Sequence, residues 1–306
     1  MDKEEDFPDH YTFSQRYGYE PLPDAMKLEL LSFNLRRELC NLVVKLVKDS
    51  QPGYNNLYGN DKDLFQSVLG EFSGISNHKV PVVKNNLVDK IDDIMLKSVF
   101  HRVLTFLEIL LRQMSYDSRN NPYRINEFME HRYSLEKKVQ QLFVKHGAAY
   151  RLVTNRGKPI WFFPCDSEEN AQATVEAIET LHEGRFDGAT THLRKAADSI
   201  ICGNHDNAIV HSIHAVESVA RKINPDANTL GKALDTLRDR ELLNHSALSE
   251  AFKKLYGYTS NEEGLRHSLI DNEEADVGQD ESVFMFGACA AFAGYLVRKH
   301  LSSRNG

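Results

Sequence analysis

The chain has 306 residues, with 37 Lys and Arg against 44 Asp and Glu and a formal net charge of -7. That length exceeds one ordinary helical domain, so two domains are expected. The acidic balance argues against a broad basic footprint for gripping long stretches of nucleic acid, though it leaves room for a small phosphate site. At 41% hydrophobic and 26% charged, the composition is that of a soluble globular protein with a real core. Cys40, Cys165, Cys202 and Cys289 are far apart and form no CxxC pair. Neither a disulfide nor a zinc framework is indicated, and a reducing cytosol is the expected setting. The acidic start, Met1-Asp2-Lys3-Glu4-Glu5-Asp6, does not read as a secretory signal.

Residues 26–47 place Leu28, Leu31, Leu35, Leu39, Leu42 and Leu46 at helical spacing, with Pro21 and Pro23 on the approach. A polar stretch rich in Gly and Asn follows, Gln51 to Asn60. Residues 91–114 are apolar on nearly every face (Ile94, Val99, Phe100, Val103, Leu104, Phe106, Leu107, Leu110, Leu111), which predicts one continuous helix at the centre of a bundle. Residues 124–146 predict a more polar helix with Phe128, Leu135, Val139, Leu142 and Phe143 inward. The period then changes. Tyr150 to Val153 and Ile160 to Phe163 are short β-prone runs around Asn155-Arg156-Gly157, a hairpin signal ending at Pro164. This is the expected seam, dividing a helical domain over residues 1–165 from a second over residues 166–306. Beyond it the chain reads as helices punctuated by Gly184, Gly203, Pro225 and Gly257. The fold class expected is mainly all-α. The uncharged run from Val283 to Val297 is shorter than the roughly 20 residues of a membrane span, and its small residues predict a buried core or interface helix.

Two constellations carry candidate chemistry. In the helix expected over residues 204–222, Ala208, Ile209, Ile213, Val216, Val219 and Ala220 share one side. His211, His214, Ser218 and Arg221 share the other, with Glu217 at the boundary. Two histidines and an arginine on one face could hold a phosphate; a solvated polar face accounts for them equally well. A zinc set of Cys202, His205, His211 and His214 does not fit finger spacing, so neither a metal nor any other cofactor is expected. In the second constellation, Ser260 and Glu263 have capping-box spacing and predict a helix start. Arg266 and His267 then fall in its second turn, four residues after Glu262 and Glu263. Ordinary surface ion pairs explain that spacing. A site in which Arg266 grips a phosphate and His267 moves a proton explains it too.

A family resemblance bears on the choice. Asp206-Asn-Ala-Ile-Val-His-Ser-Ile-His-Ala-Val-Glu217 resembles the "AI..SI.AVE" helix of AbiJ-type HEPN domains, known from bacterial abortive infection. Thr229 to Leu237 is similar to the short helix that follows it there. Leu255-Tyr-Gly-Tyr258 leading into Gly264-Leu-Arg-His267 resembles the family's "LYGY…GIRH" element, and Phe284 to Leu296 its last helix. Phe13-Ser-Gln-Arg-Tyr-Gly-Tyr19 and the hairpin resemble an AbiJ-associated N-terminal domain.

The resemblance implies a helical HEPN fold, dimerisation through that domain, and metal-independent endoribonuclease activity in antiphage defence. A base would activate the ribose 2′-hydroxyl and an acid would protonate the leaving oxygen. The superfamily motif is Arg, four to six residues, then His. Carried onto this chain, Arg266 takes the arginine place and His267 the polar place after it. The closing position at the shortest spacing is Asp271, followed by Asn272 and Glu273, so no histidine stands there. An ordinary Asp is ionised at neutral pH and accepts a proton but does not donate one. The acid would then be His267, or His211 or His214 with Glu217 and Arg221 in support. The partners implied are RNA as substrate, a second copy of the chain and a defence-system protein, with no membrane. The competing expectation is a catalytically degenerate HEPN module that binds a partner or senses RNA or a nucleotide.

Overall fold

A computed structural model of the chain describes residues 26–49, 61–74, 84–120, 125–153, 160–226, 230–239, 246–260 and 277–304. The fold is mainly α-helical: an N-terminal helical region, a short two-stranded hairpin and a C-terminal helical bundle. Two compact units divide the chain, residues 1–162 and 163–306.

In the first unit, α1 spans Phe33–Asp49, α2 Asp61–Phe72, α3 Lys84–Asp92, α4 Phe100–Asn120 and α5 Ile125–Lys145. The hairpin strands are β1, Tyr150–Val153, and β2, Trp161–Pro164; the turn expected at Asn155 to Gly157 lies outside the described residues. Helix α1 starts later than the leucine spacing predicts. Glu29 adopts a left-handed φ of 64°, and the Leu35 amide donates to Ser32 Oγ at 3.2 Å, so Ser32 caps the helix and the residues before it turn away. Leu31, Leu35, Leu39 and Val43 are nonetheless buried.

The continuous helix expected over residues 91–114 is broken. After α3 a π-helical turn, Asp93–Lys97, gives way to an extended Ser98 with ψ 158°, and α4 starts afresh at Phe100. Arg36 of α1 makes the break tolerable, since its guanidinium donates to the Met95 and Ser98 carbonyls freed there. Val99, expected in the core, sits in the break and is exposed. Helix α4 itself is the core element, burying Val103, Leu104, Phe106, Leu107, Leu110, Leu111 and Met114. Phe143 of α5 stacks on Phe162 of β2, and Glu108 of α4 accepts from the Phe162 amide at 2.8 Å. On α5 Arg132 and Glu136, one turn apart, form a buried ion pair. Burial pushes the Glu136 carboxyl above its usual range and the Arg132 guanidinium works against that push.

The second unit contains α6, Glu168–Glu183; α7, Asp187–Ile201; α8, His205–Ile223; α9, Leu230–Asp239; α10, Ser246–Ser260; and α11, Gln279–Arg304. Helix α8 is its axis, packed chiefly against α7 and α11, while α6 closes on α11. Gly184, Gly203 and Pro225 fall between helices as expected, but Gly257 lies within α10. Helix α10 closes at Ser260, and the helix expected to start there falls in residues 261–276, which lie outside the described ones.

Helix α11 buries Val283, Met285, Phe286, Cys289, Ala290, Phe292, Ala293, Leu296 and Val297. Its small residues are used inside this unit. A Cβ on Gly294 would stand 2.9 Å from the Ala177 Cα of α6, and one on Gly287 would collide with Asn170. The residues 279–303 are long and apolar enough to cross a membrane, longer than the uncharged run alone suggests. With 67% of the apolar window buried, core packing accounts for that composition.

Candidate functional site

Helix α8 begins with Asn204 as its cap, the Asn207 amide donating to Asn204 Oδ1 at 3.3 Å. The 3.6-residue repeat then turns Ala208, Ile209, Ile213, Val216, Val219 and Ala220 into the core, as their spacing predicts. His211, His214, Glu217 and Ser218 are left half-buried and Arg221 exposed. Across from them runs α7, which buries Ala189, Leu193, Ala196, Ala197 and Ile200. His192, next to Leu193, sits at the edge of that buried face. Gly203, with φ 73°, ends α7 in a tight turn and makes α7 and α8 a helical hairpin. Gly188 brings the two helices close: a Cβ there would stand 2.7 Å from Ser218 Oγ. One helical turn further, His192 faces α8.

Three imidazoles therefore converge. Ring centroids of His192 lie 5.6 Å from His211 and 5.3 Å from His214, and His211 to His214 is 6.2 Å. One ring nitrogen from each lies within 4.8 Å of the other two. Nδ1 of His192 and Nδ1 of His211 are buried without a hydrogen-bond partner. Burial above all, then the neighbouring histidines, holds the His192 imidazole below the usual histidine range, with a smaller push from Lys195. His211 is lowered by burial first, then by His214 and Lys195. Both rings are thus biased toward the neutral form, which has a free lone pair for a metal or a proton.

The residues singled out in the sequence fare differently. His211 and His214 come together with His192, whose part was not foreseen. Glu217 follows one turn after His214. Arg221 lies seven residues beyond His214, roughly 10 Å along the helix axis, and is exposed. Arg266, His267 and Asp271 lie outside the described residues. The quartet Cys202, His205, His211 and His214 is not assembled: Cys202 is exposed, and His205 Nδ1 faces Ser282 Oγ at 3.0 Å. In the first unit, an open groove of about 530 Å³ is lined by Lys45, Lys138 and Lys145, with Glu38 pairing Lys145 at 2.9 Å.

The signal for His192 was its place at the margin of an amphipathic helix, Thr191-His192-Leu193, three residues after which comes another polar-to-apolar edge. Such edge histidines are common, and only the pairing of α7 with α8 gives this one a partner.

A family model for AbiJ N-terminal domain 4 matches residues 11–178. The chain belongs to that family. The AbiJ match takes in the described helices of the first unit and the hairpin and ends within α6. No curated protein and no solved structure matches the chain.

Proposed function

We propose that this AbiJ-family protein is an effector of bacterial abortive infection whose C-terminal unit is a HEPN-type endoribonuclease. The observation that carries the reading is the family match over residues 11–178, joined to a separate helical C-terminal unit bearing the "AI..SI.AVE" helix as its axis. In this reading Arg266 neutralises the scissile phosphate and His267 transfers a proton between the 2′-hydroxyl and the leaving oxygen. Asp271 orients them, and no metal takes part in the cleavage. A two-fold dimer would bring two such sites to one cleft. Because Gly287 and Gly294 are used within the protomer, the dimer face of α11 would be its outer stripe, Phe284, Ala288, Ala291 and Tyr295. The cytoplasm is the compartment that gives such an enzyme its RNA.

Asp271, standing where the motif has histidine, favours a second reading: a degenerate HEPN module that binds RNA, a nucleotide or a defence partner without cutting. Incubating the purified protein with total RNA and with tRNA, with and without EDTA, separates the two. Cleavage that persists in EDTA, with the protein still folded by circular dichroism, supports the enzyme. Retention of RNA without cleavage supports the binding module, and neither result in any arm removes both.

A further inference from the structure

We propose that His192 of α7 and His211 and His214 of α8 form a binding site for one divalent transition-metal ion, of zinc's class, that ties the two helices together. The three ring nitrogens within 4.8 Å of one another are the starting geometry. A tetrahedral ion with metal–nitrogen bonds of about 2.0–2.1 Å needs its ligand nitrogens about 3.3 Å apart. The rings are half-exposed, so small side-chain rotations can close that gap without moving the helices. Two of the rings hold a buried Nδ1 with no hydrogen-bond partner. A buried polar nitrogen left unpaired is costly, and either coordination or a hydrogen bond set up by coordination through the other nitrogen would relieve it.

The backbone supplies the rest. His211 and His214 are three residues apart on one helix face, a spacing that lets both rings reach one ion, and the third ligand arrives from the next helix of the hairpin. Gly188 against Ser218 keeps α7 close enough for His192 to reach. The imidazoles of His192 and His211 are biased neutral, the state in which imidazole coordinates. The opposing charge is Lys195, which is exposed, so water and salt screen it. An all-nitrogen set selects zinc, cobalt, nickel or copper and rejects magnesium and calcium, which want oxygen. Three protein ligands leave one coordination position for water or an anion on the solvent side.

The site stands whether or not the protein cuts RNA, and its test does not use activity. Untagged full-length protein, stripped with chelator and dialysed, is titrated with Co²⁺ and, against a chromophoric competitor, with Zn²⁺. The expected result is one ion per chain, with the visible d–d absorption of low-coordinate Co²⁺, and a melting temperature that rises with Zn²⁺ but not with Mg²⁺ or Ca²⁺. His192→Asn, His211→Asn and His214→Asn, each checked for native circular dichroism, should each weaken binding by more than the about 10–100-fold that loss of an outer-shell partner costs. His205→Asn, on the same helix but turned to Ser282, should bind as the parent does. Should His192→Asn not fold, His192→Gln and His214→Asn serve in its place. No stoichiometric binding, binding that survives loss of His192, or equal loss in the His205 control overturns the proposal.

Discussion

Arg185 is an arginine where the backbone asks for glycine. Helix α6 ends in a Schellman arrangement: the Phe186 amide donates to the Leu181 carbonyl at 2.8 Å and the Arg185 amide to His182 at 3.0 Å. The same pair of bonds closes α7 around Gly203 and α5 around Gly147, and all three pivot residues have positive φ. Only at Arg185, φ 59°, does a Cβ incur the left-handed penalty. Its side chain is exposed, so Arg185→Gly should stabilise the protein by about 0.5–1 kcal/mol, seen as a higher denaturant midpoint at unchanged slope. The cysteines make a second residue-scale test. Cys202 is exposed, while Cys40, Cys165 and Cys289 are buried. Burial pushes the Cys289 thiol up to about 12, and burial with the Asp92 carboxylate does the same to Cys40. At about pH 8 a thiol reagent should therefore modify Cys202 rapidly in native protein, and all four cysteines only after denaturation. Fast labelling of Cys289 in the folded protein would contradict the burial of α11.

At the scale of elements, Gly294 of α11 and Gly257 of α10 both lie within helices, and the two should respond oppositely to alanine. Replacing glycine inside a helix gains up to about 1 kcal/mol of propensity. At Gly257 of α10 nothing stands within 4 Å of the added Cβ, so Gly257→Ala should be stabilising by about 0.5–1 kcal/mol. At Gly294 of α11 the new atom meets the Ala177 Cα and Cβ at 2.9 Å, and backbone cannot swing aside as a long side chain can. Overpacking of that kind costs about 1–3 kcal/mol and outweighs the propensity gain, so Gly294→Ala should destabilise by about 1–2 kcal/mol. Thermal melts of the two variants, compared with the parent, read both signs. Two further element-level readings were open to sequence only in part. Residues 91–114 place apolar side chains on nearly every face, so their periodicity gives no sign of a break. Ser98 and the carbonyls served by Arg36, far away in the chain, decide it. Gly257 was read as a break between helices, but α10 runs on past it to Ser260.

For the molecule as a whole, the proposed nuclease and the proposed metal site make separate demands. If the chain cuts RNA, Arg266→Ala and His267→Ala should each abolish cleavage, since losing a proton-transfer group slows chemistry about 10²–10⁴-fold. Their melting temperatures should barely move, because a surface ion pair contributes only about 0–1 kcal/mol. Unfolding of Arg266→Ala, or unimpaired cleavage by both variants, would make the pair structural and send the search for the nuclease site elsewhere. By itself the sequence determined the helical class, the hairpin, the buried face of α8 and the resemblance to AbiJ proteins. Those follow from local periodicity and from motifs that lie along one stretch of chain. Only the tertiary structure decided that His192 belongs with His211 and His214, and that the glycines of α11 are spent on α6. Each depends on which helix faces which, and helix pairing is set by the burial of apolar faces across the whole unit rather than by any short run of residues.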